Sequence, residues 1–178
     1  MATYIAFLRA INVGGRFAKM ADLRAGLSDR AFGDVESYIQ SGNLRLTSRL
    51  RSAAKVELAV EAAIEELCGF TVRTIVRTPE QVGELASYGA GLTAPYDGEM
   101  RRYVTFLKKD PDAELLALLK GWDAAGERAH INGREVYVWL THPAHEAKLT
   151  NARIERRGVV ATTRDWKVVS ARGELWGG

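Results

Sequence analysis

Cysteine is almost missing: Cys68 is the only one in 178 residues. A lone thiol excludes an intramolecular disulfide, so the fold must hold by its core, and a reducing compartment suits it. Histidine is scarce too. With three imidazoles and no second thiol, neither a structural zinc site nor any cofactor is expected. No stretch approaches the ~20 consecutive apolar residues of a membrane span. The opening residues run straight into Tyr4–Leu8 without the basic, apolar and small-residue order of an export signal, so a cytoplasmic chain with no membrane partner is expected. Charge of one sign is also lacking. Lys and Arg number 25 against 22 Asp and Glu, a net +3. That surplus is too small to imply nucleic acid by itself. What remains is ordinary: 47% apolar and 26% charged residues describe a soluble globular chain with a packed core, one ordinary domain or two very small ones.

Tyr4–Leu8 reads as a short buried strand. Turn-rich Asn12–Gly15 follows, then a helix with Met20, Leu23, Leu27 and Ala31 on one stripe, closed by Gly33. Val35, Ser37 and Ile39 alternate with polar neighbours, and Ser41-Gly42-Asn43 turns the chain into Leu44 and Leu46. Ser52 is a helix N-cap, Val56, Val60, Ala63, Ile64 and Leu67 form an apolar face, and Gly69 stops the helix before a strand over 71–77. Strand, helix, strand, strand, helix, strand is the ferredoxin-like order.

Thr78-Pro79-Glu80-Gln81 is a capping box with proline at the first helical position. After a glycine-rich linker over 89–98 the grammar repeats. A strand covers 102–108, Asp110-Pro111 starts a helix, and Asn132-Gly133 joins a hairpin of 128–131 with 135–140. A helix around 148–157 ends at Gly158, and a last strand covers 159–161. The terminal helix places Trp166, Val169, Gly173 and Trp176 at helical spacing with Thr162 or Thr163 as cap. The expected fold is therefore α+β, two ferredoxin-like subdomains over 1–90 and 91–178 plus a C-terminal helix. Tyr4–Leu8 and Tyr103–Leu107 are apolar on both faces, so the two subdomains are expected to pack as one body.

Four strings carry a family likeness: Tyr4–Gly15, Lys19-Met20, Tyr38–Asn43 and Thr162–Trp166. They run in order over nearly the whole chain, which resembles the bacterial domain of unknown function 1697 family. The resemblance implies a cytosolic protein of two small α+β subdomains and supplies no reaction. The chain departs from the family in having Ala10 in place of Gly, Asp165 in place of Asn and Val168 in place of Thr.

In the ferredoxin-like order the first and third strands are antiparallel neighbours, so the loop after Leu8 and the Ser41–Asn43 turn share one edge. Arg9, Asn12, Gly14, Gly15 and Lys19 lie on that loop, and Ser41, Gly42 and Asn43 on that turn. With a helix N-terminus opening nearby, the edge is a candidate site for an anionic small molecule such as a nucleotide. The same glycines also serve simply as turn formers. Arg164 and Trp166, basic beside aromatic, are a second ligand-binding candidate, unless Trp166 only anchors its helix.

Two other functions stay open. Tyr137 and Trp139 alternate on one strand, as base-stacking aromatics do in nucleic-acid binders, although packing explains them equally well. An enzyme acting on a phosphorylated substrate at the first edge would use an acid such as Asp22 or Asp34, but no nucleophile and base stand out. His142 and His145, three apart, have a spacing that a helix could use for metal, but Pro143 and the lack of a convergent carboxylate pair weaken it, and no catalytic or metal residue is assigned.

Overall fold

A computed structural model describes residues 1–40 and 42–177. The fold is α+β, with two antiparallel sheets and, among the described residues, six α-helices. The chain divides into two compact units. Unit 1 is Met1–Gly83 with the last residues from Trp176, and unit 2 is Glu84–Leu175.

Unit 1 contains β1 (Ala2–Leu8), α1 (Met20–Ser28), β2 (Gly33–Tyr38), β3 (Asn43–Ser48), α2 (Ala53–Cys68) and β4 (Thr74–Arg77). Its sheet runs β2-β3-β1-β4, so β1 is interior and explains its continuous apolar run. Tyr4, Ala6 and Leu8 pack with Met20, Leu23 and Leu27 of α1 and Val56, Val60 and Ile64 of α2. Ile5 and Phe7, which point the other way, are buried as well.

The connecting helix α3 (Pro79–Ala90) begins at a reciprocal capping box. The Thr78 N–H donates to Gln81 Oε1 at 3.0 Å and the Gln81 N–H donates to Thr78 Oγ1 at 3.2 Å. Unit 2 then holds β5 (Arg101–Leu107), α4 (Ala113–Lys120), β6 (Asp123–Ala124), β7 (Glu127–Asn132), β8 (Glu135–Leu140), α5 (Asn151–Glu155), β9 (Ala161–Asp165) and α6 (Trp166–Trp176), with sheet order β6-β7-β8-β5-β9. Leu107, Val136, Val138 and Leu140 meet Leu115, Leu119 and Ile154 in its core.

Several expected boundaries move. Helix α1 stops at Ser28, and Ala31, not Gly33, takes the left-handed conformation (φ 86°) while the Phe32 N–H reaches back to the Leu27 carbonyl. Asp112, not Asp110, caps α4, because its side chain accepts from the Leu115 N–H. The β7–β8 loop is Gly133-Arg134, since Asn132 still pairs with Glu135; glycine at the first loop position, with φ 59°, fits a II′ turn. The last strand is 161–165 rather than 159–161. Thr162 and Thr163 therefore lie in β9, and Asp165 caps α6 by accepting from the Lys167 N–H at 2.8 Å.

One edge strand of each sheet, β4 and β9, is closed by helix side chains. Phe7 and Ile5 pair with Ile75 and Arg77, and the Arg9 N–H donates to the Arg73 carbonyl, so the N–H groups of Thr74 and Val76 point outward. Glu61 Oε1 accepts from the Thr74 N–H at 2.7 Å and Glu57 Oε1 from the Val76 N–H at 2.9 Å. Four residues of helix rise about 6 Å and two residues of strand about 6.8 Å, so an i, i+4 pair on α2 matches alternate positions of β4. Unit 2 repeats the arrangement. Glu155 Oε1 accepts from the Ala161 N–H at 3.2 Å, and Asn151 Oδ1 from the Thr163 hydroxyl at 2.8 Å. Replacing Glu57 or Glu61 with Ala strands a buried N–H and is expected to cost about 1–3 kcal/mol, with faster hydrogen exchange at Val76 or Thr74 respectively. Denaturant titration and amide exchange check this; unchanged stability and exchange in both variants would refute the edge assignment.

Candidate functional site

The loop after β1 is rooted between two strands. The Leu8 N–H donates to the Gly42 carbonyl at 2.8 Å on the β3 side, and the Arg9 N–H to Arg73 on the β4 side at 2.7 Å. Asn12 then ties the loop into a knot. Its own N–H donates to the Arg16 carbonyl at 2.7 Å, its Oδ1 accepts from the Ala18 N–H at 2.8 Å, and its Nδ2 donates to the Gln40 carbonyl at 3.0 Å. An amide supplies donor and acceptor at once, and asparagine tolerates the left-handed backbone (φ 57°) found here. Gly14 and Gly15 form the exposed tip at φ 58° and 85°, and a Cβ on either would meet nothing, so backbone conformation alone demands them. Gly42 is needed twice over: φ is 74°, and a Cβ would fall 2.5 Å from Ile11 Cγ2. Asn43 is buried and donates to the Tyr38 carbonyl at 3.1 Å.

The structure thus brings Arg9, Asn12, Gly14, Gly15, Lys19, Gly42 and Asn43 to one edge of unit 1, although Asn12 and Asn43 spend their amides on the fold. Ser41 lies outside the described residues. Lys19 is the N-cap of α1, yet no side chain caps that helix. Its exposed ammonium stands beside a cavity of about 1010 Å³ whose lining includes Asn12, Phe17, Lys19, Asp22, Gln40 and Cys68. Burial pushes the Cys68 thiol up, which keeps it a thiol at neutral pH.

Arg164 and Trp166 belong to unit 2 and have separate work there. Arg164 is buried on β9, donating to Thr162 Oγ1 at 2.8 Å and the Thr163 carbonyl at 2.9 Å. The partner of Trp166 is Arg102, which the sequence reading missed. Its guanidinium carbon sits 4.0 Å from the Trp166 ring centroid, 5.2 Å from Trp139 and 5.6 Å from Tyr137, and it donates to the Gly89 carbonyl. Burial lowers the Arg102 pKa, with the Tyr137 charge opposing. A Cβ on Gly89 would lie 2.6 Å from Trp166 and 2.7 Å from Tyr137, so only glycine lets the rings close over it. Tyr137, whose hydroxyl donates to the Leu85 carbonyl at 2.8 Å, has its phenol pushed far up by burial, with Glu135 adding to the shift. Tyr137 and Trp139 are therefore covered, and the β8 aromatics offer no open platform for bases. His142 faces buried Glu127 at 3.4 Å and His145 faces Glu146 at 3.7 Å, so the two imidazoles do not converge.

Residues 1–137 match the family profile described as Protein of unknown function (DUF1697). The chain belongs to the DUF1697 family. A solved structure titled as that of conserved bacterial protein SP0830 from Streptococcus pneumoniae is similar to it over 100% of this chain and 99% of the other, with a TM-score of 0.75 at 22% identity, a likeness of fold. No curated protein matches. Two departures from the DUF1697 pattern now have physical readings. At Asp165 a carboxylate oxygen does the capping that an asparagine oxygen does equally well. Ala10 has φ 57°, where the family's glycine carries no Cβ penalty. Ala10→Gly is accordingly expected to stabilise the chain by about 1 kcal/mol, and Asn12→Ala to destabilise it by about 1–3 kcal/mol. Melting curves of the two variants that fail to move in opposite directions would contradict this account of the knot.

Proposed function

We propose that this chain is a cytosolic binder of an anionic small molecule, seated in the cavity at the start of α1. The observation that carries the reading is Lys19: exposed, in no ion pair among the described residues, at an uncapped helix N-terminus and on the cavity wall. Ammonium and helix dipole act in the same direction there. Phe17, Met20 and Leu67 add an apolar wall, while the Asp22 carboxylate on the same lining opposes a dense polyanion. The favoured ligand therefore joins one modest anionic group to a flat or apolar body, a description that a nucleoside monophosphate meets. Gly14, Gly15 and Gly42 shape the edge, Asn12 holds it, and Arg9 and Arg16 raise the local positive potential. The same proposal takes both units as ferredoxin-like, supported by sheet orders β2-β3-β1-β4 and, leaving out the two-residue β6, β7-β8-β5-β9. It leaves Arg164 and Trp166 to the fold.

Cys68 provides an internal reporter because it shares the cavity lining. A panel of nucleotides and of phosphorylated and carboxylated metabolites is expected to contain a member that raises the melting temperature by about 5–10 °C at saturating concentration and slows Cys68 alkylation. Lys19→Glu should remove both effects while keeping the fold. A panel with no shift, or a shift and protection that survive Lys19→Glu, would overturn the reading.

A further inference from the structure

Large apolar side chains of unit 1 are mostly buried; of those exposed, Met1, Leu50 and Leu58 lie elsewhere and three gather at the knot. Val13 is 54% exposed, Phe17 72% and Ile39 48%. Three hydrogen bonds tie their segments together. The Asn12 N–H binds the Arg16 carbonyl and the Arg16 N–H the Val13 carbonyl, while Asn12 Nδ2 binds Gln40, the neighbour of Ile39. Arg9, Arg16 and Lys19 lie on the same loop, where no acid occurs between residues 9 and 19, and the neighbouring acid is Asp22, on the cavity wall with Phe17 and Lys19. Arg16 and Lys19 are exposed and make no ion pair among the described residues.

We propose that this knot docks on an anionic lipid surface, with Val13, Phe17 and Ile39 entering the headgroup boundary while Arg16 and Lys19 pair with the headgroups. An apolar tip inside a basic collar matches the order of an anionic bilayer, apolar below and negative above. Other occupants fit less well. A second copy of the chain would set one basic collar against another. A peptide strand needs a free ladder at the knot, where β1 is interior with its end already bonded to Gly42 and Arg73, and the edge strand β2 stops at Tyr38, before Ile39. Single-stranded nucleic acid needs stacking rings, and among these exposed residues only Phe17 is aromatic. That no helix of the described residues is long and apolar enough to cross a membrane does not bear on a contact made at the surface. The inference goes beyond the ligand reading: Phe17 and Lys19 are shared with the cavity, whereas Val13, Arg16 and Ile39 stand outside its lining and distinguish the two.

Co-sedimentation of the full chain with vesicles of phosphatidylcholine alone, or with added phosphatidylglycerol, tests it. Binding is expected only where phosphatidylglycerol is present, and it should disappear at high salt. Arg16→Gln should weaken it about fivefold. The double variant Val13→Ser, Ile39→Asn should weaken it about tenfold; asparagine suits the φ of 52° at position 39, so an unchanged melting temperature is expected. Absence of binding to phosphatidylglycerol vesicles overturns the inference, as does binding that the double variant leaves intact, which would be charge attraction alone. A soluble anion that shifts melting while vesicles fail to bind would remove this inference and leave the ligand reading standing.

Discussion

The arrangement of unit 1 depends on carboxylates of one helix accepting from the backbone of an edge strand. β4 has only four residues and pairs with β1 on one side, so half of its N–H groups would otherwise face away from any partner. Glu57 and Glu61 take those donors. The arrangement fixes α2 along the sheet and covers the outer edge of β4. It also anchors the loop that follows β1, because the residue just before β4, Arg73, supplies the carbonyl that receives Arg9. A buried carboxylate is costly to desolvate, and hydrogen bonds from fixed backbone donors offset that cost, with Arg73 adding an ion pair to Glu61 at 3.5 Å.

Unit 2 meets the same problem with different residues. Its edge strand β9 lies against α5, where Asn151 and Glu155 replace the two glutamates and one of the donors is the Thr163 hydroxyl. The spacing is what the two units share: i and i+4 on a helix, i and i+2 on a strand. Helix rise and strand rise dictate that ratio, and any short acceptor side chain satisfies it. This is why the halves repeat an architecture without repeating a sequence.

Much of the element order was legible because its signals are local. The Thr78–Gln81 box, the Gly69 stop and the stripe on α2 each announce themselves within four or five residues. What was misplaced lay where two neighbouring residues compete for one job. Asp110 and Asp112 are both caps by type, and the second wins because its carboxylate reaches the Leu115 N–H. Gly33 looks like the stop for α1, yet Ala31 turns the chain. Glu57 and Glu61 carried no signal in the sequence, because the backbone N–H groups they accept from leave no trace in residue type. At the candidate site, the shared edge followed from topology alone. The cavity wall did not, since Cys68 and Leu67 reach it from the end of α2, more than forty residues after Lys19. Arg102 was missed for a similar reason: nothing local marks a guanidinium that three distant rings enclose.

The knot itself is an energetic anomaly. Ala10, Asn12 and Ile39 all have positive φ without being glycine. Asparagine bears that conformation easily, whereas alanine and isoleucine are each disfavoured there by about 1–2 kcal/mol. The three hydrogen bonds made by Asn12 together supply a few kcal/mol at most, much of it needed to offset the strain. Here the bonds are spent on holding apolar and basic side chains outward in one fixed shape. The net charge of +3 conceals this placement: Arg16 and Lys19 are exposed on the same strained segment as Val13 and Phe17.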